Sequence, residues 1–158
     1  MLVRRFQEKD IDEIITLFYE TVHTINKLDY TQEQLDAWAS RAELKSKTEN
    51  WLRALTSNIS YVVEIEDRIV GFSDLNQHGY LDRLFVHKDY QGRGIASTLV
   101  NTLERDAQQI GIVEMVTDAS ITAKPFFEGK GYSVIQSQIV ERNGTQLMNY
   151  RMSKAIKL

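Results

Sequence analysis

Apolar residues recur along this chain in two different periods, and the switches between them outline its elements. Ile11, Ile14, Ile15, Phe18 and Val22 fall at helical spacing, which predicts a helix with one buried stripe. Asp10 stands before that stripe and Glu13 three residues after Asp10, a capping-box spacing. A short apolar run, Leu2 to Phe6, precedes it and reads as a strand. Residues 31–56 return to the helical period. Thr31 and Gln34 are spaced as a second capping box, Leu35, Trp38 and Ala39 form one apolar patch, and Trp51, Leu52 and Leu55 form another. The polar stretch Arg41 to Lys47 is expected to link two helices.

The second half opens with strand signals. Tyr61 to Ile65 and Ile69 to Leu75 are rich in β-formers, and Glu66-Asp67-Arg68 between them reads as a tight hairpin. Tyr80 to Val86 is a third such run. Next come Gln91-Gly92-Arg93-Gly94 and an amphipathic helix whose stripe is Ile95, Leu99, Leu103, Ala107 and Ile110. Gly111 is placed as its C-cap. Val113 to Thr117 predicts a strand and Ala123 to Lys130 a short helix, with Pro125 early in it, where proline is tolerated. Val134 to Val140 and Leu147 to Met152 are the last two strands, turned through Asn143-Gly144. Strands interleaved with helices in this order describe one mixed α/β sheet with helices packed on it. The 158 residues suit a single domain.

Composition narrows the chemistry. With no cysteine, disulfides, thiolate metal sites and a cysteine nucleophile are all excluded. The three histidines, His23, His78 and His87, lie too far apart for metal-ligand spacing, so no metal is expected. A net charge of -3 argues against a nucleic-acid partner, which needs a basic face. No stretch nears the roughly eighteen apolar residues of a membrane span, and the charged start MLVRRFQEKD does not read as a signal peptide. A cytoplasmic protein with no membrane partner is the expectation.

The most informative segment runs from Val86 to Ala96. A strand ends, Gly92 and Gly94 turn the chain, and a helix begins. Glycines there let the backbone approach a ligand, and several N–H groups meet at the positive end of a helix dipole, which suits a phosphate. Arg93 can add a charge-assisted bond. A plain tight turn accounts for the glycines equally well. The segment lacks the third glycine of a dinucleotide fingerprint and the Gly-Lys-Ser/Thr of a P-loop.

Gln91, Gly92, Gly94 and Ala96 resemble the acyl-CoA pyrophosphate loop of the GCN5-related N-acetyltransferase (GNAT) superfamily. Leu84 to Tyr90 resembles that family's fourth strand and its exit, and Ala123 to Tyr132 its segment after the fifth strand. The resemblance spans nearly the whole chain. It implies a mixed, mostly antiparallel sheet of about seven strands, with a splay between strands four and five. It also implies acetyl-CoA as co-substrate and transfer of the acetyl group to a primary amine, on a small molecule more than on a protein. A homodimer is common among such proteins. Cofactor contacts are implied at Leu84, Phe85, Val86, Gln91, Gly92, Arg93, Gly94, Ile95, Ala96, Ser120 and Phe127.

The resemblance has two marked departures. Phe127 stands where relatives often carry a tyrosine acid, and Ser120 where they often carry an asparagine. Ser120 either positions sulfur or water, or caps the helix that follows. Asp82 shares side-chain parity with Leu84 and Val86, which makes it a candidate base or else a partner for Arg83 or Arg68. His23 is the other proton acceptor considered, and Tyr19, His23, Tyr30 and Trp38 form a candidate acceptor pocket. The alternatives for these are a helix-capping histidine and ordinary core aromatics. A non-catalytic acyl-CoA-binding protein, or a protein acetyltransferase, is the competing expectation for function.

Overall fold

The computed structural model describes residues 1–157. Strand β1 (Leu2–Arg5) leads into helices α1 (Ile11–Thr24), α2 (Gln32–Trp38) and α3 (Leu44–Ser57). The strands β2 (Ile59–Ile65), β3 (Arg68–Leu75) and β4 (Tyr80–Val86) follow, then α4 (Ile95–Gln109), β5 (Glu114–Ser120), α5 (Lys124–Gly129), β6 (Ser133–Arg142) and β7 (Thr145–Ala155). The strands form one seven-stranded sheet in the order β1-β2-β3-β4-β5-β7-β6. Every neighbouring pair is antiparallel except β4 and β5, which are parallel.

Strand alternation sends side chains to two helical layers. Val62, Phe72 and Phe85 pack under α1, α2 and α3 with Ile14, Phe18 and Leu35. Val63, Leu81 and Met115 pack against Leu99, Val100 and Leu103 of α4 on the other face. Gly71 lets the start of α4 settle onto β3: a Cβ there would lie 2.7 Å from Ile95 Cγ2.

Several local details depart from the expected pattern. Asp10 sits in a 3-10 turn, where it accepts from Gln7 N (2.8 Å) and from both Nη atoms of Arg4 (2.8 and 2.9 Å). Glu13 makes no capping box and accepts instead from Ile69 N at 2.8 Å, tying α1 to β3. The Thr31–Gln34 capping box forms as expected. The polar link is shorter than the sequence suggests, because α3 already begins at Leu44. Ile110, assigned to the buried stripe of α4, is 54 % exposed because the helix ends at Gln109.

Candidate active site

The site begins where the sheet comes apart. β4 and β5 pair only at Tyr80↔Val116 and Leu81↔Thr117. Beyond them the two strands separate, leaving Asp82–Val86 and Asp118–Ser120 on opposite sides of a gap. The gap opens into a cleft of about 840 Å³. Its walls include Gly92, Gly94, Ala96 and Ser97 at one end, Leu84, Phe85, Val86, Ala119, Ser120 and Phe127 in the middle, and Trp38, Lys47, Trp51 and Arg142 at the other.

The backbone of β4 is oriented for this gap. Arg83 N donates to Asp74 Oδ1 (3.0 Å) and Arg83 O accepts from Ser73 Oγ (2.5 Å), both on β3. His87 N donates to Val70 O (2.8 Å), also on β3. Because backbone direction alternates along a strand, the polar groups of Leu84 and Val86 face the gap. The Val86 carbonyl is already used: Thr21 Oγ1 (3.0 Å) and Gln91 Nε2 (2.8 Å) both donate to it. Gln91 therefore folds back onto β4, away from the glycine turn's own amides.

That turn has the conformation its glycines permit. Gly92 and Gly94 hold φ of 72° and 78°, the left-handed region that L side chains rarely adopt. A Cβ at either would meet nothing of the chain within 4 Å. Hydrogen bonding resumes only at Thr98, whose N–H donates to Gly94 O at 3.0 Å. The N–H groups of residues 92 to 97 have no acceptor within the described residues, and they gather at the N-terminus of a 15-residue helix. Such a group of free donors fits an anion of the pyrophosphate kind. Arg93 is not part of this wall. Its guanidinium lies over the Tyr90 ring, 4.8 Å from the centroid.

The candidate catalytic and acceptor residues divide into two groups. Asp82 lines the cleft, yet not for the reason of parity. Asp74 pairs with Arg83 and Leu75 with Leu81, so Asp82 is the extra residue of a β-bulge, which breaks the simple alternation. Its carboxylate lies 3.3 Å from Arg83 Nη1 and its side chain is 41 % exposed. Ser120 also lines the cleft, with its hydroxyl accepting from Ala123 N at 3.0 Å across the turn that precedes α5, whose N-cap is Ala123 and not Ser120. Phe127 is 2 % exposed, held edge-on between Phe126 and Tyr132.

Tyr30 and Trp38 form part of the wall, whereas His23 and Tyr19 do not. Tyr30 OH donates to Met148 O (2.6 Å) and accepts from Ile121 N (2.9 Å), bracing the far edge of the splay. Burial raises its pKa above the ordinary tyrosine value. On α1 and its C-cap the residues facing the cleft are Phe18, Thr21 and Ile25, at helical intervals. Tyr19 and His23, four apart, lie on another face. Tyr19 OH donates to Ser40 O (2.6 Å), and His23 Nε2 lies 3.1 Å from Ala39 O. Both side chains fasten α1 to the segment after α2.

Sequence reasoning missed the cations at the end of the cleft opposite the glycine turn. Arg83 is partly buried against the buried Asp74, with Nη1 2.6 Å from Oδ2, and stacks over Trp51 at 4.8 Å. Lys47 Nζ lies over Phe18 (5.1 Å) and over Trp51 (5.5 Å). Lys47 and Trp51 are four apart on α3, the one signal that could have joined them. Asp118 was also missed. It receives Tyr80 OH (2.8 Å), Gln138 Nε2 (2.7 Å) and both Nε and Nη2 of Arg151 (3.0 and 3.1 Å).

A latch crosses the end of the cleft opposite the glycine turn. Asn143 and Gly144 form the left-handed hairpin turn between β6 and β7. Asn143 Nδ2 donates to Ala37 O (2.8 Å) and to Glu43 Oε1, and Gln34 Nε2 donates to Gln146 O (3.0 Å). The hairpin is thereby pinned to α2 and to the 3-10 turn Arg41–Glu43.

Residues 26–154 match the family described as Acetyltransferase (GNAT) domain. The chain belongs to that family. It is 33 % identical over 150 residues to the uncharacterized N-acetyltransferase YafP of Escherichia coli, covering 95 % of this chain and 93 % of YafP. Among solved structures, a GCN5-related N-acetyltransferase from Rhodopseudomonas palustris superposes with a TM-score of 0.90 at 31 % identity, over 98 % of this chain and 94 % of that one. The PaiA N-acetyltransferase of Thermoplasma acidophilum, solved with coenzyme A, shares the fold at a TM-score of 0.74 and 18 % identity, over 98 % of each chain. The splayed sheet and free-amide turn are thus this chain's form of a GNAT acetyltransferase fold. Among the described residues no helix is long and apolar enough to cross a membrane, and no three His, Asp or Glu side chains converge as metal ligands.

Proposed function

We propose that this chain transfers an acetyl group from acetyl-CoA to the primary amine of a small acceptor. The observation that carries the reading is the continuity of one cleft. It runs from the unpaired amides of residues 92 to 97, past the free backbone of Leu84, to an aromatic chamber under α2 and α3. In this reading the glycine turn holds the pyrophosphate, and Leu84, with the Val86 N–H, pairs the pantetheine arm as an added strand would. Backbone N–H groups at the splay are placed to polarise the thioester carbonyl. The latch of Asn143 across the acceptor end supports a small acceptor over a peptide threaded through.

The amine nitrogen forms the new C–N bond, the C–S bond breaks, and sulfur departs as thiolate. The amine proton goes to Asp82, directly or through water, because Asp82 is the cleft carboxylate that the bulge pushes out of the ladder. Phe127 supplies packing and no proton. The thiol of CoA is acidic enough to leave without a dedicated donor.

An amine panel with acetyl-CoA, read by release of free thiol, tests the reading. Turnover is expected with at least one small primary amine, and Asp82→Asn should lower kcat by about a hundredfold or more. Binding of acetyl-CoA without turnover of any amine would favour a non-catalytic acyl-CoA-binding protein, the reading that the missing hydroxyl at Phe127 keeps open.

A further inference from the structure

The acceptor end of the cleft carries a cation, Lys47, that no carboxylate meets at ion-pair distance among the described residues. Lys47 is partly buried on the first turn of α3, over the Phe18 and Trp51 rings. Other charges stand around it. Arg83, across the Trp51 ring, is held by Asp74 at 2.6 Å and Asp82 at 3.3 Å. Glu43, one turn before Lys47, accepts from the neutral Asn143 Nδ2, keeps its negative charge and acts on Lys47 only from beyond ion-pair distance. From β6 come Arg142, whose Nη1 donates to Glu141 O (3.3 Å), and Glu141 itself, both largely exposed.

An ammonium taken part-way out of water without a carboxylate loses hydration that aromatic faces restore only in part. In a cleft built to receive a ligand, the missing counter-charge is best supplied by that ligand. We propose that the acceptor amine also carries a carboxylate, that Lys47 receives this carboxylate, and that an apolar body of the acceptor lies among Phe18, Trp38, Trp51 and Phe85. The substrate class is therefore an amino acid or a close analogue with an apolar side chain, rather than a polyamine or an amino sugar. A polycationic acceptor would have to set one of its charges against Lys47. This inference rests on the acetyl-transfer reading for the identity of the amine, and on the cleft alone for the anionic anchor.

The test compares phenylalanine, phenylalanine amide and phenethylamine as acceptors for the parent, Lys47→Met and Lys47→Arg. Methionine keeps the apolar stem and removes the charge; arginine restores the charge. Lys47→Met is expected to lower kcat/KM for phenylalanine by about tenfold to a hundredfold, the usual range for a lost charged hydrogen bond. It should leave the amide and the plain amine within about twofold, and Lys47→Arg should recover part of the loss. A second readout needs no turnover: N-acetylphenylalanine should raise the melting temperature of the parent and not that of Lys47→Met. If no amine reacts while that selective stabilisation persists, the acetyl-transfer reading falls and the anionic anchor stands. Equal loss for charged and uncharged acceptors, or no stabilisation of the parent by the carboxylate, overturns the proposal.

Discussion

Thr21 on α1 donates its hydroxyl to the carbonyl of Val86 at 3.0 Å, although the two residues belong to different layers of the fold. The bond fixes the exit of β4, from which the glycine turn departs. Thr21→Val keeps shape and removes the donor. The expected result is a stability loss of about 1 kcal/mol and a weaker grip on acetyl-CoA, seen in paired unfolding and calorimetry. Removing Gln91 as well, which shares the same carbonyl, should cost more than the sum of the two single changes, because the last donor is then lost.

Gly94 is the sharpest test of the pyrophosphate position. Its φ of 78° makes any L residue strained by about 1–2 kcal/mol. A new Cβ would otherwise meet open space. Gly94→Val is therefore expected to fold with that modest deficit and to lose measurable coenzyme A binding in a titration. A folded variant with parental affinity would move the phosphate site elsewhere.

His23→Ala separates the face of α1 that lines the cleft from the face that does not. The imidazole contacts Ala39 O at 3.1 Å, outside the cleft wall. Steady-state rates in acceptor should stay within about twofold of the parent, while the folded state loses about 1 kcal/mol. A fall in kcat at unchanged stability would bring His23 back as the proton acceptor.

Asp10 gives the fold part of its acid sensitivity. Burial alone would raise its pKa, but the Arg4 guanidinium and the Gln7 amide outweigh burial and hold it below the ordinary carboxylate value. A depressed folded pKa means the contribution is complete above the unfolded pKa of about 4 and is lost as pH falls through the folded value. Asp10→Asn should therefore cost about 2 kcal/mol near pH 7. The gap to the parent should shrink steadily on going to about pH 3 in unfolding curves. A gap that does not narrow would show that the Arg4 pair is not what stabilises this corner.

The sequence exposed the element order and the strand–turn–helix at residues 86–96 because each rests on local signals: glycines, caps and period. It could not expose which face of α1 meets the cleft. Ile11, Ile14, Ile15, Leu17, Phe18, Tyr19, Thr21 and Val22 are all buried, so the helix is covered on most sides and its stripe does not name one. The bulge at Asp82 was equally hidden, since an extra residue in a strand is a matter of register with β3 and leaves no mark in composition. Lys47 fell within a stretch expected to be a polar link, and only the early start of α3 brings it beside Trp51.

The brevity of the β4–β5 pairing bears on more than access. Two rungs join a four-stranded half-sheet to a three-stranded one, so this seam is where backbone cross-linking is thinnest. An extended guest seated in it would act as mortar between two walls, and the filled protein would be mechanically stiffer than the empty one. Amide protons along Asp82–Val86 and Asp118–Ser120 would then exchange with solvent more slowly once the seam is filled, and the two half-sheets would resist being pulled apart as one body.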